Sequence, residues 1–166
     1  MGIPYFRRGA VIDVTSKTVH VESLDDIFYE DFLGGKGIGA ILLYNNLSPK
    51  TDPLSSDNIV IFLTGPFTGS RFPASPRGTL VTKSPLTGAF LDSNIGGSFG
   101  KALKATGFDY IMIQGKAETP IWISIQDQKI EFNDAKAIWG LTTSATEVTI
   151  KKEMNNEDVE VLSIGP

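Results

Sequence analysis

Ile59-Val-Ile-Phe-Leu-Thr64 is an unbroken apolar and β-branched run that stops at Gly65-Pro66, and it constrains the fold more than any other segment. A strand with no polar side chain on either face has to be covered on both, so it belongs inside a sheet. Glycine and proline force the chain to turn at its end, so the stretch from Arg71 to Gly100 hangs from a core strand. That stretch holds Arg71, Arg77 and Lys83, then Ser93-Asn94-Ile95-Gly96-Gly97, and runs into a helical segment at Phe99. Such a combination can build an anion site. Consecutive glycines let backbone N–H groups turn toward a ligand, a helix N-terminus adds partial positive charge, and arginine offers a planar fork for phosphate. A tight hairpin followed by a helix cap, with nothing bound, accounts for the same residues.

The flanking segments read as alternating hairpins and short helices. Gly9–Val14 and Thr18–Glu22 form a hairpin about Thr15-Ser-Lys17. Asp25 and Asp26 open a helix that runs to about Leu33 and stops at Gly34-Gly35, and a second helix, Ile38–Asn46, buries Ile38, Leu42 and either Tyr44 or Leu43. Gly78–Lys83 and Gly88–Asp92 form a second hairpin through Ser84-Pro-Leu-Thr87. Phe99–Ala105 is a helix ended by Gly107. Tyr110–Gln114, Ile121–Gln126 and Lys129–Phe132 follow as a three-stranded meander with Trp122 packed on it. Thr142–Met154 is helical, capped by Thr142 or Thr143, and Val159–Ile164 is a last strand. Hairpins and meanders with flanking helices, and no regular βαβ alternation, give an α+β fold with mixed and antiparallel sheets in one unit. A strand followed only by Gly165-Pro166 leads us to expect a piece of a longer protein.

Composition narrows the chemistry. The 166 residues carry a net charge of −4 with lysine and arginine scattered, so no basic face exists to track nucleic acid. No apolar run has membrane-spanning length and no signal-peptide pattern opens the chain, which points to the cytoplasm. There is no cysteine, which excludes disulfides, thiolate zinc sites and an iron–sulfur cluster held by these residues. His20, the one histidine, lies in a strand, outward or half-buried, with no nucleophile elbow to accompany it. Asp25-Asp26, Asp52, Asp57 and Glu157-Asp158 fall in caps and loops without the spacing that general acid–base work or chelation needs. Asp92 reads as an Asx-turn ahead of the helix, with orientation of Arg77 as its alternative role. Gly34-Gly35-Lys36-Gly37-Ile38-Gly39-Ala40 has the look of a dinucleotide loop but follows a helix, so it reads as a helix–helix corner where glycines allow close packing.

Ordered blocks carry a family resemblance along nearly the whole chain: Phe32-Leu-Gly-Gly-Lys-Gly-Ile-Gly-Ala40, Asp52-Pro-Leu-Ser55, Thr64-Gly-Pro-Phe-Thr-Gly69, Val81-Thr-Lys-Ser-Pro-Leu-Thr-Gly88, Asp92-Ser-Asn-Ile-Gly-Gly-Ser-Phe-Gly100, Gly107-Phe-Asp109, Gly115-Lys-Ala-Glu118 and Ile138-Trp-Gly140. The chain resembles the N-terminal domain of tungsten-dependent aldehyde ferredoxin oxidoreductases, truncated at Ser163-Ile-Gly-Pro166 before the cysteine-bearing domains. The resemblance implies a platform for tungstopterin, two pterin dithiolenes holding one tungsten or molybdenum, with their phosphates linked by magnesium. Carried over by motif, Arg77 binds a pterin phosphate, Asn94 gives its backbone carbonyl to magnesium, and Gly96 and Gly97 approach the cofactor through their backbones. It further implies oxidation of a small aldehyde to a carboxylate, with electrons leaving through a [4Fe–4S] cluster in the missing domains to ferredoxin. Catalytic residues fall outside these 166 positions, so the piece alone is expected to be inactive. The tungsten subunit of a benzoyl-CoA reductase belongs to the same family, and a non-catalytic anion-binding or assembly module is the rival reading. Surface left uncovered by missing domains predicts self-association, and a homo-oligomer is expected.

Overall fold

The computed structural model describes residues 5–166. Apolar runs between glycine and proline breaks become strands β1 (Arg8–Asp13) and β2 (Thr18–Ser23), helices α1 (Asp26–Phe32) and α2 (Lys36–Asn46), and strands β3 (Ile59–Thr64), β4 (Gly78–Lys83) and β5 (Phe90–Ile95). Helix α3 (Phe99–Ala105), strands β6 (Tyr110–Gln114), β7 (Ile121–Gln126) and β8 (Lys129–Asp134), and helix α4 (Thr143–Glu153) follow. Six strands form one sheet in the order β2-β1-β6-β3-β4-β5, and β7 pairs with β8 in a separate ribbon. Only β1 and β6 run parallel in the large sheet; the other neighbours are antiparallel. The class is α+β, as expected, and β3 lies inside the sheet between β6 and β4.

Burial on both faces explains the layering. Ile59, Ile61 and Leu63 of β3 pack with Tyr29 of α1 and Ile38, Leu42 and Leu43 of α2. Phe62 points the other way, toward Leu103 of α3 and toward Ile123, Ile125, Ile130 and Phe132 of the ribbon. Trp122 alternates with Ile123, so it faces outward from the ribbon and packs with Ile138, Leu141, Ile150 and Met154 beneath α4. Thr142 caps that helix by accepting from the Ala145 N–H. In α2 the buried stripe is completed by Leu43, whereas Tyr44 is exposed. Gly39 is the close-packing glycine of this helix, because a Cβ there would lie 2.7 Å from Val81 Cγ2.

Two backbone and polar features fix the sheet. Tyr110 of β6 lies across Gly9 of β1, and its hydroxyl donates to Glu22 of β2, so one buried side chain spans three strands. Lys104 and Asp109 form a buried ion pair. Asp109 Oδ2 also accepts from Tyr29 Oη at 3.0 Å and from the Arg7 N–H at 2.7 Å. The Asp109 carbonyl accepts from both the N–H and the hydroxyl of Thr64. Every oxygen of this buried acid is therefore engaged, as burial of a charge demands.

Three expectations need correction. The meander does not form: β6 leaves β7 and β8 and inserts between β1 and β3. Tyr110-Ile-Met112 is buried on both faces, and only an interior position covers such a strand, whereas proximity in sequence favoured the hairpin. Val159–Ile164 forms no strand. No ladder partner meets it; Val161 instead packs its side chain into the cluster under α4. β5 runs to Ile95 rather than stopping at Asp92, so Ser93, Asn94 and Ile95 are strand residues. No helix among the described residues is long and apolar enough to cross a membrane.

Candidate functional site

The exit of β3 sets the site. Gly65-Pro66 ends the strand, and the Thr64 carbonyl accepts from the Gly35 N–H at 3.1 Å, which ties the α1–α2 corner to that exit. Gly34 packs there without a side chain: a Cβ would meet Pro66 Cδ and the Thr64 carbonyl, each at 3.3 Å. Its φ of +148° and that of Gly35, +50°, also favour glycine. The corner therefore does bring α1 and α2 together as expected. It also lines a solvent-open cavity of about 240 Å³ shared with Gly65–Thr68, Ser75, Arg77 and Thr79.

Of the predicted residues Arg77, Asn94, Gly96 and Gly97, Arg77 lines this cavity and the other three lie outside its lining, on β5 and just past it. β4 and β5 align Thr79 with Asn94 and Gly78 with Ile95, the last pair of the ladder, so Arg77 and Gly96 are the residues that flank its end. Residues directly opposite share a face, so Asn94 lies with Thr79 on the α2 side of the sheet, where Thr79 and Arg77 line the cavity with Gly35. Gly97, φ +68°, turns the chain toward α3. A Cβ at Gly96 or Gly97 would meet nothing within 4 Å, so the backbone there is bare and open. Because β5 is the sheet edge, alternate carbonyls along it have no strand partner.

The electrostatics favour an anion. No carboxylate lines the cavity, and Arg77 is exposed with no acidic partner among the described residues. The N-terminal end of α2, whose cap Gly35 offers no side-chain acceptor, adds partial positive charge to the lining.

Other candidates are placed elsewhere. Lys83 donates to the Pro49 and Thr51 carbonyls at 2.7 Å each and anchors the irregular connection before β3. Arg71 is exposed and outside the cavity lining. Asp92 is not in an Asx-turn: it is a ladder residue opposite Val81 and pairs with Lys36 at 3.5 Å. It orients the start of α2, not Arg77. His20 is exposed on β2, at the opposite edge of the sheet. Asp26 pairs with Arg7, and Asp52 accepts from the Leu54 N–H. Sequence reasoning missed Thr68, Ser75 and Thr79 as lining residues. The Arg77-x-Thr79 spacing carried a signal, since alternate residues of a strand share a face.

Comparison with known proteins finds similarity along nearly the whole chain. The aldehyde ferredoxin oxidoreductase N-terminal domain matches residues 10–166. Tungsten-containing aldehyde ferredoxin oxidoreductases of Pyrococcus furiosus and Pyrococcus abyssi are 43% and 41% identical over 155 residues, 93% of this chain. The chain spans 26% of the length of those two relatives. An aliphatic sulfonate oxidoreductase subunit of Pyrococcus furiosus is 33% identical over 149 residues, 88% of this chain and 24% of its own length. Among solved structures, the active site complex BamBC of benzoyl coenzyme A reductase, with 1,5-dienoyl-CoA, superposes with a TM-score of 0.96 at 30% identity, over 99% of this chain and 25% of that one.

Proposed function

This chain belongs to the aldehyde ferredoxin oxidoreductase family through its N-terminal domain, and from that membership we propose that it is the tungstopterin-supporting part of a larger oxidoreductase. The carrying observation is Arg77: an exposed guanidinium with no acidic partner among the described residues, at a cavity lined by no carboxylate. A phosphate is the chemistry that this donor set suits. Arg77 holds a pterin phosphate, the Asn94 backbone carbonyl takes magnesium, and Gly96 and Gly97 let the cofactor approach the main chain. Open space over both glycines supports this reading.

When bound, the tungsten centre supplies the redox chemistry that converts an aldehyde and water to a carboxylate, with ferredoxin as the electron acceptor through a [4Fe–4S] cluster. These residues bind and orient. They contribute no general acid or base, because no histidine, aspartate or glutamate lines the cavity. With no cysteine in the chain, thiolates for a cluster lie outside these 166 residues. The electron partner is supported by the names of the relatives. A cytoplasmic, self-associating protein belongs to the same reading, supported by exposed Phe67, Phe72, Leu86 and Trp139. The likeness to BamBC supports a second reading, the same platform in a reductase acting on a coenzyme A thioester.

The test is tungsten per chain in the full-length protein and its Arg77→Ala variant, purified without oxygen. Loss of one charge-assisted phosphate contact corresponds to about 1.5–3 kcal/mol, roughly 10- to 150-fold in retention. Unchanged tungsten in the variant removes Arg77 from the site. Absence of tungsten, molybdenum and iron from the wild-type protein leaves the assembly-module reading.

A further inference from the structure

The side chain of Arg77 is exposed, but its peptide is gripped from two directions. Thr68 is buried, and its hydroxyl donates to the Arg77 carbonyl at 3.0 Å while accepting from the Gly65 N–H at 2.9 Å. One hydroxyl thus links the exit of β3 to the residue that precedes β4. α3 also rests on the same peptide, through Gly100. A Cβ there would fall 2.3 Å from the Pro76 carbonyl oxygen, 2.5 Å from the Gly78 nitrogen and 2.7 Å from the Arg77 carbonyl carbon. All three are backbone atoms at the entry to β4, so no side-chain rotation relieves the overlap.

The two contacts relate the halves of the candidate site. α3 follows directly on the Gly96-Gly97-Ser98 turn, so the seat of Gly100 on Arg77 also sets the distance between that turn and the arginine. A long, mobile arginine gains binding precision only when its main chain is fixed, since small displacements at the base misplace the guanidinium fork. We propose that Thr68 and Gly100 are positioning residues that clamp the Arg77 backbone, holding its guanidinium in register with the Asn94–Gly97 segment for an anionic group. The proposal rests on the phosphate reading of Arg77 given above.

A double-mutant cycle in the full-length protein separates positioning from general packing. The readout is the rate of tungsten loss on dialysis, by metal mass spectrometry, for Thr68→Val, Thr68→Ser, Arg77→Ala, Gly100→Ala and the Thr68→Val/Arg77→Ala pair, alongside thermal midpoints. Thr68→Val is expected to speed loss about two- to tenfold, the equivalent of one hydrogen bond. Serine, which keeps the hydroxyl, retains tungsten as the wild type does. In the Arg77→Ala background the valine effect vanishes, because the clamp acts through the arginine. Gly100→Ala also speeds loss. Should Thr68→Val give no soluble protein, Thr68→Ala replaces it in the cycle. A valine effect of equal size with and without Arg77 overturns the clamp, as does equal behaviour of valine and serine. If Arg77→Ala loses tungsten and Thr68→Val does not, only the clamp falls; if Arg77→Ala retains it, the phosphate reading falls first and takes the clamp with it.

Discussion

Gly9, inside β1, and Gly96, just past the end of β5, have opposite reasons for being glycine. At Gly9 a Cβ would lie 1.9 Å from Tyr110 Cζ, inside a ring that is wholly buried and tied to Glu22. At Gly96 a Cβ would meet nothing within 4 Å. The first glycine is required by packing within this chain. The second is not, and neither packing nor a positive φ explains it. A bare backbone in open space is consistent with the cofactor approach proposed for Gly96. Gly97 stands between the two cases, since its φ of +68° asks for glycine whatever fills the space above.

Substitution should separate the two regions most widely at Gly9. Gly9→Ala forces the buried Tyr110 ring aside, and overpacking of that kind costs about 3 kcal/mol. Denaturant unfolding should show this loss with and without cofactor. Arg77→Ala should do the reverse: the stability of the cofactor-free protein stays within about 0.5 kcal/mol of wild type, while tungsten retention falls by the larger factor given above. A comparable loss of stability in both variants would erase the distinction between the regions. Gly97→Ala carries a backbone strain of about 1–2 kcal/mol from its left-handed conformation, whereas Gly96→Ala should be neutral in unfolding and visible only in tungsten content. If Gly96→Ala binds tungsten normally, the open turn is merely a turn.

The packed region also has a pH signature. Burial first, and then the Asp109 carboxylate, pushes the Tyr29 phenol well above its ordinary range. The folded state therefore holds this proton more tightly than the unfolded chain does. Stability from it is complete below the unfolded value of about 10 and is lost as pH rises beyond it. Thermal midpoints should fall more steeply above about pH 10 in the wild type than in Tyr29→Phe. Parallel curves would show that the phenol does not sense its surroundings in this way.

How much of this was legible beforehand follows from which interactions are local. β3 could be placed inside a sheet because both of its faces are apolar, and the first hairpin, α1, α2, α3 and α4 each announce themselves through turns, caps or periodicity. The candidate site residues Arg77, Asn94, Gly96 and Gly97 were picked out by motif and glycine chemistry, and of them Arg77 lines the cavity. The strand pairing beside them was not legible, because it depends on β5 continuing to Ile95 and on Thr79 meeting Asn94. The place of β6 was lost for a similar reason. Its partners β1 and β3 are distant in sequence, while the nearer β7 offered a plausible hairpin. Val159–Ile164 has strand-like residues, but a strand exists only where another backbone accepts its hydrogen bonds. Thr68 was overlooked because a threonine in a turn carries no signal until its hydroxyl is seen bridging Gly65 and Arg77.

The smallest effect is expected at the border between the regions, where Lys36 at the start of α2 pairs with Asp92 on β5. Lys36 is mostly exposed and the pair is 3.5 Å apart, so screening leaves it no more than about 0.5 kcal/mol of stability. Yet Lys36 follows Gly35, which lines the cavity, and Asp92 lies two residues before Asn94 on the same face. A purely structural pair would make Lys36→Met and Asp92→Asn nearly silent in both unfolding and tungsten retention, with any small loss removed by high salt. A contribution to the anion site would split them. Lys36→Met would remove a positive charge and speed tungsten loss, and Asp92→Asn, by releasing that charge toward the cavity, would slow it. The sign of the Asp92→Asn effect therefore places the pair on one side of the border or the other. Because Asp92 is bound to Lys36 rather than to Arg77, we expect the silent outcome, with the boundary of the site drawn between Gly35 and Lys36.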